Sequence, residues 1–254
     1  MASTDRFGYE WAKYDQILPA HEGQFLMWVT PLTAVDFKNK RVLDAGCGMG
    51  RNSYWACHYG AREVVAFDYD KRSVTAALKT LAKFPQASVR YESIYDINYQ
   101  NEFDIVFSIG VIHHLVDPEK AILNLYRALC PGGRLLLWVY GDMHKHKIRL
   151  INLVRLVLSR MPVALVHFLT YFISVPFYLY LKVFPQRSDY LKLLKTFSFL
   201  HVHAIAFDQL IPQVAHYWSR AEIEVLLRVL PPEHESLISP IRGYSWSVLI
   251  TKPL

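Results

Sequence analysis

The sequence predicts one α/β domain with a doubly wound, mostly parallel sheet and a helical insertion after the fifth strand. Short β-prone runs alternate with helix-like stretches of about ten to fifteen residues, as in βαβ units. Hydrophobic residues make up 52% of the 254 residues and charged residues 20%. That composition supports a sizeable core and argues against a disordered chain.

Five β-prone runs come in order along the first part of the chain: "RVLDAGC", "EVVAFDYD", "ASVRYESI", "FDIVFSIG" and "GRLLLWVYG". A helix is predicted to begin after Asp70 with "KRSVTAALKTLAKF". Another begins after Asp117 with Pro118 in its first turn, runs through "EKAILNLYRALC" and ends at "PGG". Asp is a strong N-cap and Pro suits a first helical turn, so both starts have a physical basis.

The end of the chain completes the sheet. Ser219 and Glu222 form a capping-box pattern that opens the helix "AEIEVLLRVL". The runs "SLISPI" and "YSWSVLITK" follow, joined at Arg242-Gly243, and predict a closing hairpin. Residues 142–207 are then an insertion, and residues 1–39 precede the first strand as covering helices.

A glycine-rich loop, "VLDAGCGMGRNS", follows the first predicted strand. Its spacing is D-x-G-x-G-x-G, counted from Asp44 through Gly46, Gly48 and Gly50. Arg51 occupies a position where a dinucleotide fingerprint would need glycine. A carboxylate so close to the loop repels a pyrophosphate but suits a ligand that carries an ammonium group. Glycines there allow close approach of the backbone to that ligand.

Two more carboxylates follow the next strands. Asp68 ends the second strand, where it can accept hydrogen bonds from ribose hydroxyls. Asp96, in "IYDI" after the third strand, can accept from an exocyclic amine. A cation, a ribose and an amine together describe S-adenosylmethionine (SAM).

These motifs, with "FDIVFSIGVIHHLVDP" and "LCPGGRLLLWVYG", resemble the ordered motifs of class I SAM-dependent methyltransferases over about residues 40–141. The resemblance implies a seven-stranded sheet whose last strand is antiparallel and lies between the fifth and sixth. It implies SAM as cofactor, S-adenosyl-L-homocysteine (SAH) as product, and binding roles for these residues: Asp44, Gly46, Cys47, Gly48 and Gly50 (methionine moiety), Asp68 and Tyr69 (ribose), Asp96 and Ile97 (adenine), Ser108, Ile109 and Gly110 (beneath the sulfonium), and Tyr9, Trp11 and Tyr14 (amino-terminal cover). The alternative is a non-catalytic protein of the same fold that acts as a partner or regulator.

Candidates for the acceptor side follow the fourth strand and the insertion. His113 or His114 is either a general base or a locally hydrogen-bonded histidine. Four residues are candidates for the acceptor pocket, although the last two could equally be core: Asp208, His216, Tyr217 and Trp218. No metal is expected, because His201 and His203 lack a clear third ligand. Nucleic acid is not the expected acceptor, because "FSIGVIHHL" replaces the Asn/Asp-Pro-Pro-aromatic motif of nucleic-acid N-methyltransferases.

The insertion is basic and apolar. Residues 142–195 contain nine Lys or Arg and two acids, and Met161 to Leu181 has no charged residue. A full crossing of a bilayer would put strands of one sheet on opposite sides, and Pro162 and Pro176 are expected to interrupt a straight helix.

Residues 148–160 predict an amphipathic helix with a polar arc of about 140°: Arg149, Asn152, Arg155, Ser159 and Arg160. Residues 148–184 are therefore either a lid that packs its apolar face on the core or an element that rests on a membrane. Both predict a small lipophilic acceptor. The amino terminus shows no secretory pattern and the three cysteines show no CxxC pairing, so the expected location is the cytoplasm, with or without contact to the inner face of the membrane.

Overall fold

One seven-stranded sheet organises the computed structural model, which describes residues 4–14, 16–186 and 188–254. The strands are β1 (Arg41–Ala45), β2 (Glu63–Asp68), β3 (Ala87–Tyr91), β4 (Phe103–Ile109), β5 (Leu129–Tyr140), β6 (Glu235–Ile241) and β7 (Ser245–Thr251). Their order is β3-β2-β1-β4-β5-β7-β6, and only β7 runs antiparallel to its neighbours. The predicted sheet, including the place of its last strand, is confirmed.

Ten α-helices connect or extend these strands within the described ranges. They are α1 (Thr4–Lys13), α2 (Ala20–Trp28), α3 (Arg51–His58), α4 (Lys71–Leu81), α5 (Pro118–Ala128), α6 (Lys145–Leu158), α7 (Val163–Val183), α8 (Asp189–Thr196), α9 (Phe199–Asp208) and α10 (Arg220–Leu226). Short 3₁₀ turns span Ala34–Phe37, Ile112–His114 and Leu227–Val229. The insertion therefore consists of α6 to α9.

Side-chain caps fix the helix starts that the sequence predicted. The Asp70 carboxylate accepts from the backbone N–H groups of Arg72 and Ser73 at the start of α4. Asp117 accepts from the N–H of Lys120 at the start of α5. Each bond satisfies a backbone donor that has no partner inside its helix.

Both faces of the sheet are covered, as a doubly wound fold requires. Alternate residues of a strand point to opposite faces. On β4, Val106 packs in a cluster with α5 and α10, whereas its neighbour Phe107 packs in a cluster with Phe25 of α2 and Trp55 of α3. All of these side chains are buried, so the sheet lies between two apolar layers.

Two strand boundaries differ from the prediction. β3 ends at Tyr91, three residues before the predicted end at Ile94. β5 begins at Leu129, in a stretch where the sequence predicted the end of a helix. Leu129 pairs with Phe103 of β4, and the register of the two strands then shifts. Strand pairing therefore ends helix α5 before Leu129.

The insertion leaves and re-enters the same sheet, because β5 before it pairs with β7 after it. Helix α7 is long and apolar enough, by length and composition, to cross a bilayer. Only 22% of its most apolar 18-residue stretch is buried in the protein. The prediction that proline interrupts this helix was wrong, since α7 continues through Pro176. Pro176 lies on the exposed side, away from the core.

Helix α6 has the amphipathic pattern that the sequence predicted, but its orientation differs from a lid that buries its apolar face. Arg155, in the predicted polar arc, is 5% exposed. Its Nε donates to the Gln209 carbonyl at 2.7 Å, and its guanidinium lies 5.7 Å from the centre of the Tyr217 ring. Leu150, Leu153, Leu156 and Val157 are instead exposed. Buried polar contacts of Arg155 therefore set the rotation of α6.

The capping box at α10 generates a stability prediction. Ser219 Oγ accepts from the Glu222 N–H, and the Glu222 carboxylate accepts from the Ser219 N–H at 2.8 Å. We expect Ser219→Ala to lower the free energy of unfolding by about 1 kcal/mol, measured by urea denaturation. Ser219→Thr keeps the acceptor and should stay within about 0.5 kcal/mol of the parent. Equal losses in both variants would contradict the cap.

Candidate active site

A cavity of about 1640 Å³ lies where the parallel strands end at their carboxyl edge. Pockets for one drug-sized ligand occupy roughly 300–1,000 Å³, so this cavity has room for two molecules. Its walls come from the segments that follow β1, β2, β3 and β4, from α1 and α2, and from the insertion. Open α/β sheets bind their ligands at this edge.

The glycine-rich loop forms one wall of the cavity. Gly46, Gly48 and Gly50 have φ angles of 78°, 55° and 80°, in the left-handed region that favours glycine. A Cβ atom on Gly46 would lie 2.5 Å from Val111, and one on Gly48 would lie 2.9 Å from the Trp11 ring. Gly46, Cys47 and Gly48 line the cavity, whereas Gly50 precedes α3 and packs against α4.

Asp68 joins this loop to the end of β2. One carboxylate oxygen accepts from the Gly48 N–H at 2.9 Å, and the other accepts from the Asp70 N–H at 2.9 Å. Burial raises the pKa of Asp68 to about 6, so the group is ionised at neutral pH. It lines the cavity beside Tyr69, and each oxygen keeps a lone pair for a ligand hydroxyl.

Asp44 lies beneath the loop instead of on the cavity wall, which corrects its predicted direct contact with the cofactor. It is 1% exposed, and one carboxylate oxygen accepts from Ser53 Oγ at 2.6 Å. The other oxygen is buried without a hydrogen-bond partner among the described residues. Burial raises the pKa of Asp44 to about 7.

The segment after β3 reaches the cavity earlier in the chain than predicted. Ser93, Ile94 and Tyr95 line the wall. Asp96 and Ile97 do not: Asp96 is exposed, and Ile97 packs against the core cluster of α5 and β4. The prediction that these two residues contact adenine is corrected, because β3 ends three residues early and the turn presents the preceding residues.

The end of β4 contributes backbone and apolar surface. Ile109 and Gly110 line the cavity, as predicted. Ser108 does not, because it is fully buried and donates its hydroxyl to the Ala45 carbonyl at 2.9 Å. Its role is to tie β4 to β1 beneath the site.

Helix α1 covers the glycine-rich loop. Trp11 and Tyr14 line the cavity, and the Trp11 ring lies against Gly48. Tyr9 faces the insertion instead, with ring centres 5.8 Å from His167 and 6.1 Å from Phe207, so its predicted cofactor contact is corrected. The amino-terminal segment therefore contacts both the loop and the insertion.

At the insertion end, Asp208 and Tyr217 line the cavity as predicted. The Tyr140 hydroxyl donates to Asp208 Oδ2 at 3.4 Å and accepts from the Gln209 side chain at 3.0 Å. Tyr217 stacks on Tyr140 with ring centres 5.4 Å apart. Burial raises the pKa of Asp208 to about 6, so the carboxylate is ionised at neutral pH and fixed by its neighbours.

Glu10 and Arg51 share this part of the cavity. Glu10 is 3% exposed, and its Oε2 has no hydrogen-bond partner among the described residues. Burial, and then the charge of Asp208, raise the pKa of Glu10 well above its usual range. Arg51 lies 5.6 Å from the Trp11 ring centre and 5.4 Å from that of Trp28.

The two candidate histidines have different surroundings. His113 is fully buried, lies 3.8 Å from the Tyr140 ring centre and does not line the cavity, so its prediction as a base is corrected. His114 lines the cavity, and its Nδ1 bonds the Val214 carbonyl at 2.8 Å. A carbonyl only accepts, so Nδ1 carries the proton and Nε2 keeps its lone pair. Burial lowers the pKa of His114 to about 3.

His216 and Trp218 are packing residues, which corrects their predicted place in the acceptor pocket. Their rings stack 5.4 Å apart, and neither lines the cavity. His216 Nε2 bonds the Leu115 carbonyl at 3.0 Å. In the part of the chain that the structure describes, no group of three or more His, Cys, Asp or Glu side chains is arranged to bind a metal ion.

Residues 43–137 match the model of the family described as methyltransferase domain. The core of this chain is thus similar to the methyltransferase domains of that family. A phosphoethanolamine N-methyltransferase 2 of Caenorhabditis elegans is 34% identical over 110 residues, covering 42% of this chain and 25% of that protein. A tRNA U34 carboxymethyltransferase of Helicobacter acinonychis is 32% identical over 118 residues, covering 44% of this chain and 45% of that protein. The chain thus matches less than half the length of each of these relatives.

Solved structures show that nearly the whole chain has the fold of class I methyltransferases. The DhpI–SAH complex aligns with a TM-score of 0.60 at 14% identity, covering 99% of this chain and 96% of the other. The N-methyltransferase NodS from Bradyrhizobium japonicum WM9, in complex with SAH, aligns with a TM-score of 0.57 at 12% identity, covering 100% of both chains. Identities this low establish the fold alone.

Sequence reasoning missed several cavity residues. Glu10 lies in the amino-terminal stretch "FGYEWAKY", residues 7–14, where an acid between aromatic residues gives no local signal of burial. Arg51 was noted only as a departure from a glycine motif. Tyr140 ends β5 at the same edge as Asp68, so sheet topology could have indicated it.

Asp68 lines the cavity and Asp96 does not, so substitutions of the two residues should differ in their effect on cofactor binding. Removing a hydrogen-bonded charge costs about 1.5–3 kcal/mol, so Asp68→Ala should weaken SAM or SAH binding at least about tenfold by calorimetry. Asp96→Ala should leave it within about twofold. Asp68→Asn, which keeps one acceptor oxygen for the loop, should fall between them. Equal weakening in the Asp96 variant would contradict this assignment.

Proposed function

We propose that this chain transfers a methyl group from SAM to a small lipophilic acceptor. The observation that carries the proposal is one continuous cavity that begins at the glycine-rich loop and Asp68 and ends at Asp208 among the helices of the insertion. Its volume of about 1640 Å³ accommodates a cofactor and an acceptor side by side. The family match over residues 43–137 and the fold support this reaction class.

The residues present fit SAM. Glycines let Val111 and Trp11 pack closely on the loop backbone, and Gly46, Cys47 and Gly48 present that loop to the cavity. Asp68 offers acceptor oxygens for ribose hydroxyls, and Ser93 to Tyr95 form a wall for the adenine. Asp68 gives this end a negative potential, which favours a cationic ligand over a pyrophosphate.

SAM would supply a sulfonium methyl group, whose carbon bonds to the acceptor nucleophile as the C–S bond breaks and its electrons pass to the sulfur of the leaving SAH. The chain contributes alignment, exclusion of water and a place for the proton that the acceptor loses. Asp208 is the ionised carboxylate on the cavity wall, oriented by the Tyr140 hydroxyl at 3.4 Å. It accepts that proton, and Glu10, whose pKa is raised by burial, lines the same cavity.

Apolar walls favour a lipophilic acceptor. The insertion lines its part of the cavity mostly with aliphatic and aromatic side chains, among them Ile148, Ile151, Phe177, Leu194, Phe197 and Ile205. An apolar cavity with a few convergent polar groups binds an apolar molecule and orients its one polar atom. We place the reaction in the cytoplasm, in a chain that is either soluble or peripheral on the inner face of the membrane.

A nucleic-acid acceptor is the second candidate, because several relatives are tRNA U34 carboxymethyltransferases. These relatives match at most about 45% of their own length, and the match covers under half of this chain. The apolar insertion lacks the interleaved basic and aromatic surface of a strand-binding groove. A non-catalytic partner of the same fold would bind SAM without turnover.

The deciding experiment uses SAM labelled in its methyl group. We expect the chain, incubated with cell extract, to transfer label into material that partitions into organic solvent, with the Asp68→Ala variant as control. Label in precipitated nucleic acid would instead establish the second candidate. SAM binding with no labelled product in any fraction would show the non-catalytic alternative.

The raised pKa of Asp208 predicts a pH dependence. The carboxylate is protonated below about pH 6 and cannot accept a proton there, so turnover at saturating SAM should rise with a midpoint near pH 6 and level off above about pH 7. Asp208→Asn should lower turnover about 100-fold and abolish this rise. His114 has a pKa of about 3 and stays neutral throughout, so it cannot produce that midpoint.

The exposed acid Glu224 on α10 supplies the control. Glu224→Gln should leave both the rate and the pH profile unchanged, because Glu224 pairs with Arg220 on the surface. An Asp208→Asn variant with the parent rate and profile would mean that the acceptor loses its proton without this carboxylate.

A further inference from the structure

Helices α6 and α7 turn apolar side chains outward. On α6, Leu153 is 63% exposed, and Leu150, Leu156 and Val157 are similarly exposed. On α7, an exposed stripe recurs every three or four residues: Phe168, Phe172, Val175, Leu179 and Val183. Phe172 is 69% exposed. We call these nine residues the outer apolar face.

The buried side of α7 is more polar than its exposed side. His167, Thr170 and Ser174 are buried. Thr170 Oγ1 donates to the Val166 carbonyl at 2.8 Å, and Ser174 Oγ bonds His203 Nδ1 of α9 at 2.7 Å. The Ser174–His203 bond to α9, like the contacts of Arg155 on α6, fixes the rotation of its helix. The outer apolar face therefore follows from the internal packing.

Positive charge accompanies the outer apolar face. No acidic residue occurs between Asp142 and Asp189. At 100° per residue, Arg149 projects between Leu156 and Leu153 on the exposed side of α6, and Arg160, two residues after the end of α6, is also exposed. A helix with apolar residues and arginine on one outward side matches the chemistry of an anionic lipid surface.

We propose that the outer apolar face binds the surface of an anionic phospholipid bilayer, with α6 and α7 lying in the plane of the membrane. A crossing is excluded because β5 and β7, on either side of the insertion, pair in one sheet. Nine large apolar side chains exposed on two consecutive helices are unusual for a soluble monomer and mark an interaction site. The arginines select lipid of negative charge, which apolar contact alone does not.

The two helices also wall the cavity from the inside. Ile151 of α6 and Tyr171 of α7 line it. Leu200 of α9, which packs along α7, lines the cavity and is 59% exposed. The cavity thus opens at an apolar surface beside the proposed membrane contact. Membrane binding itself does not depend on the proposed methyl transfer, and it is tested without cofactor.

Vesicle flotation of the full chain tests the proposal. The chain should float with vesicles that contain about one-third phosphatidylglycerol and much less with pure phosphatidylcholine. Leu153→Glu/Phe172→Glu should reduce binding at least about 100-fold, because two apolar side chains that enter the bilayer in the bound state are lost. Arg149→Gln/Arg160→Gln should reduce binding to the anionic vesicles about 25-fold and leave binding to neutral vesicles unchanged.

The matched control is Leu78→Glu/Val225→Glu, which adds the same charges at exposed apolar positions on α4 and α10. It should float like the parent, and circular dichroism should show all variants folded. Absence of binding, or binding that survives Leu153→Glu/Phe172→Glu, overturns the proposal. A third outcome also overturns it: sedimentation shows that the parent self-associates and does not bind vesicles, and that Leu153→Glu/Phe172→Glu is monomeric. A second copy of the chain would then cover the outer apolar face.

Discussion

The hydrogen bond from the Gly48 N–H to the Asp68 carboxylate, at 2.9 Å, organises the cofactor end of the cavity. It joins the loop after β1 to the end of β2 and holds the loop in a conformation that only glycine adopts easily at Gly46 and Gly48. Helix α1 then packs Trp11 against the loop, and the second Asp68 oxygen receives the Asp70 N–H at the start of α4. The binding surface is thus assembled by backbone groups around one carboxylate.

A second constraint acts from the opposite side. Because β5 and β7 pair along their length, the insertion between them begins and ends beside the cavity. Its buried polar groups, Arg155 on α6 and Ser174 on α7, bond the α9–Gln209 region and leave apolar residues outside. The same helices therefore wall the cavity and present an apolar surface. This arrangement connects the shape of the acceptor site with the proposed membrane contact.

Helix caps and the closing hairpin were predicted correctly because they depend on local patterns, and the place of the last strand followed from the family resemblance. Asp68 and the glycines were found because their roles follow from their place at a strand end. Asp96 was misplaced because β3 ends three residues early, a boundary set by tertiary pairing. His113 faces the core, and neighbouring positions on a turn cannot be told apart by sequence. Periodicity gave the two faces of α6 but not which face is buried, because that depends on contacts with Gln209 and Tyr217 far along the chain.

The central claim is that one cavity takes SAM at the glycine-rich loop and an acceptor at the insertion. A crystal structure of the chain with SAH tests it most directly. We predict SAH with its ribose on Asp68, its adenine against Ser93 to Tyr95, and its sulfur facing open space that continues to Asp208. A ligand bound elsewhere, or a sulfur sealed off from Asp208 by protein, would contradict the account.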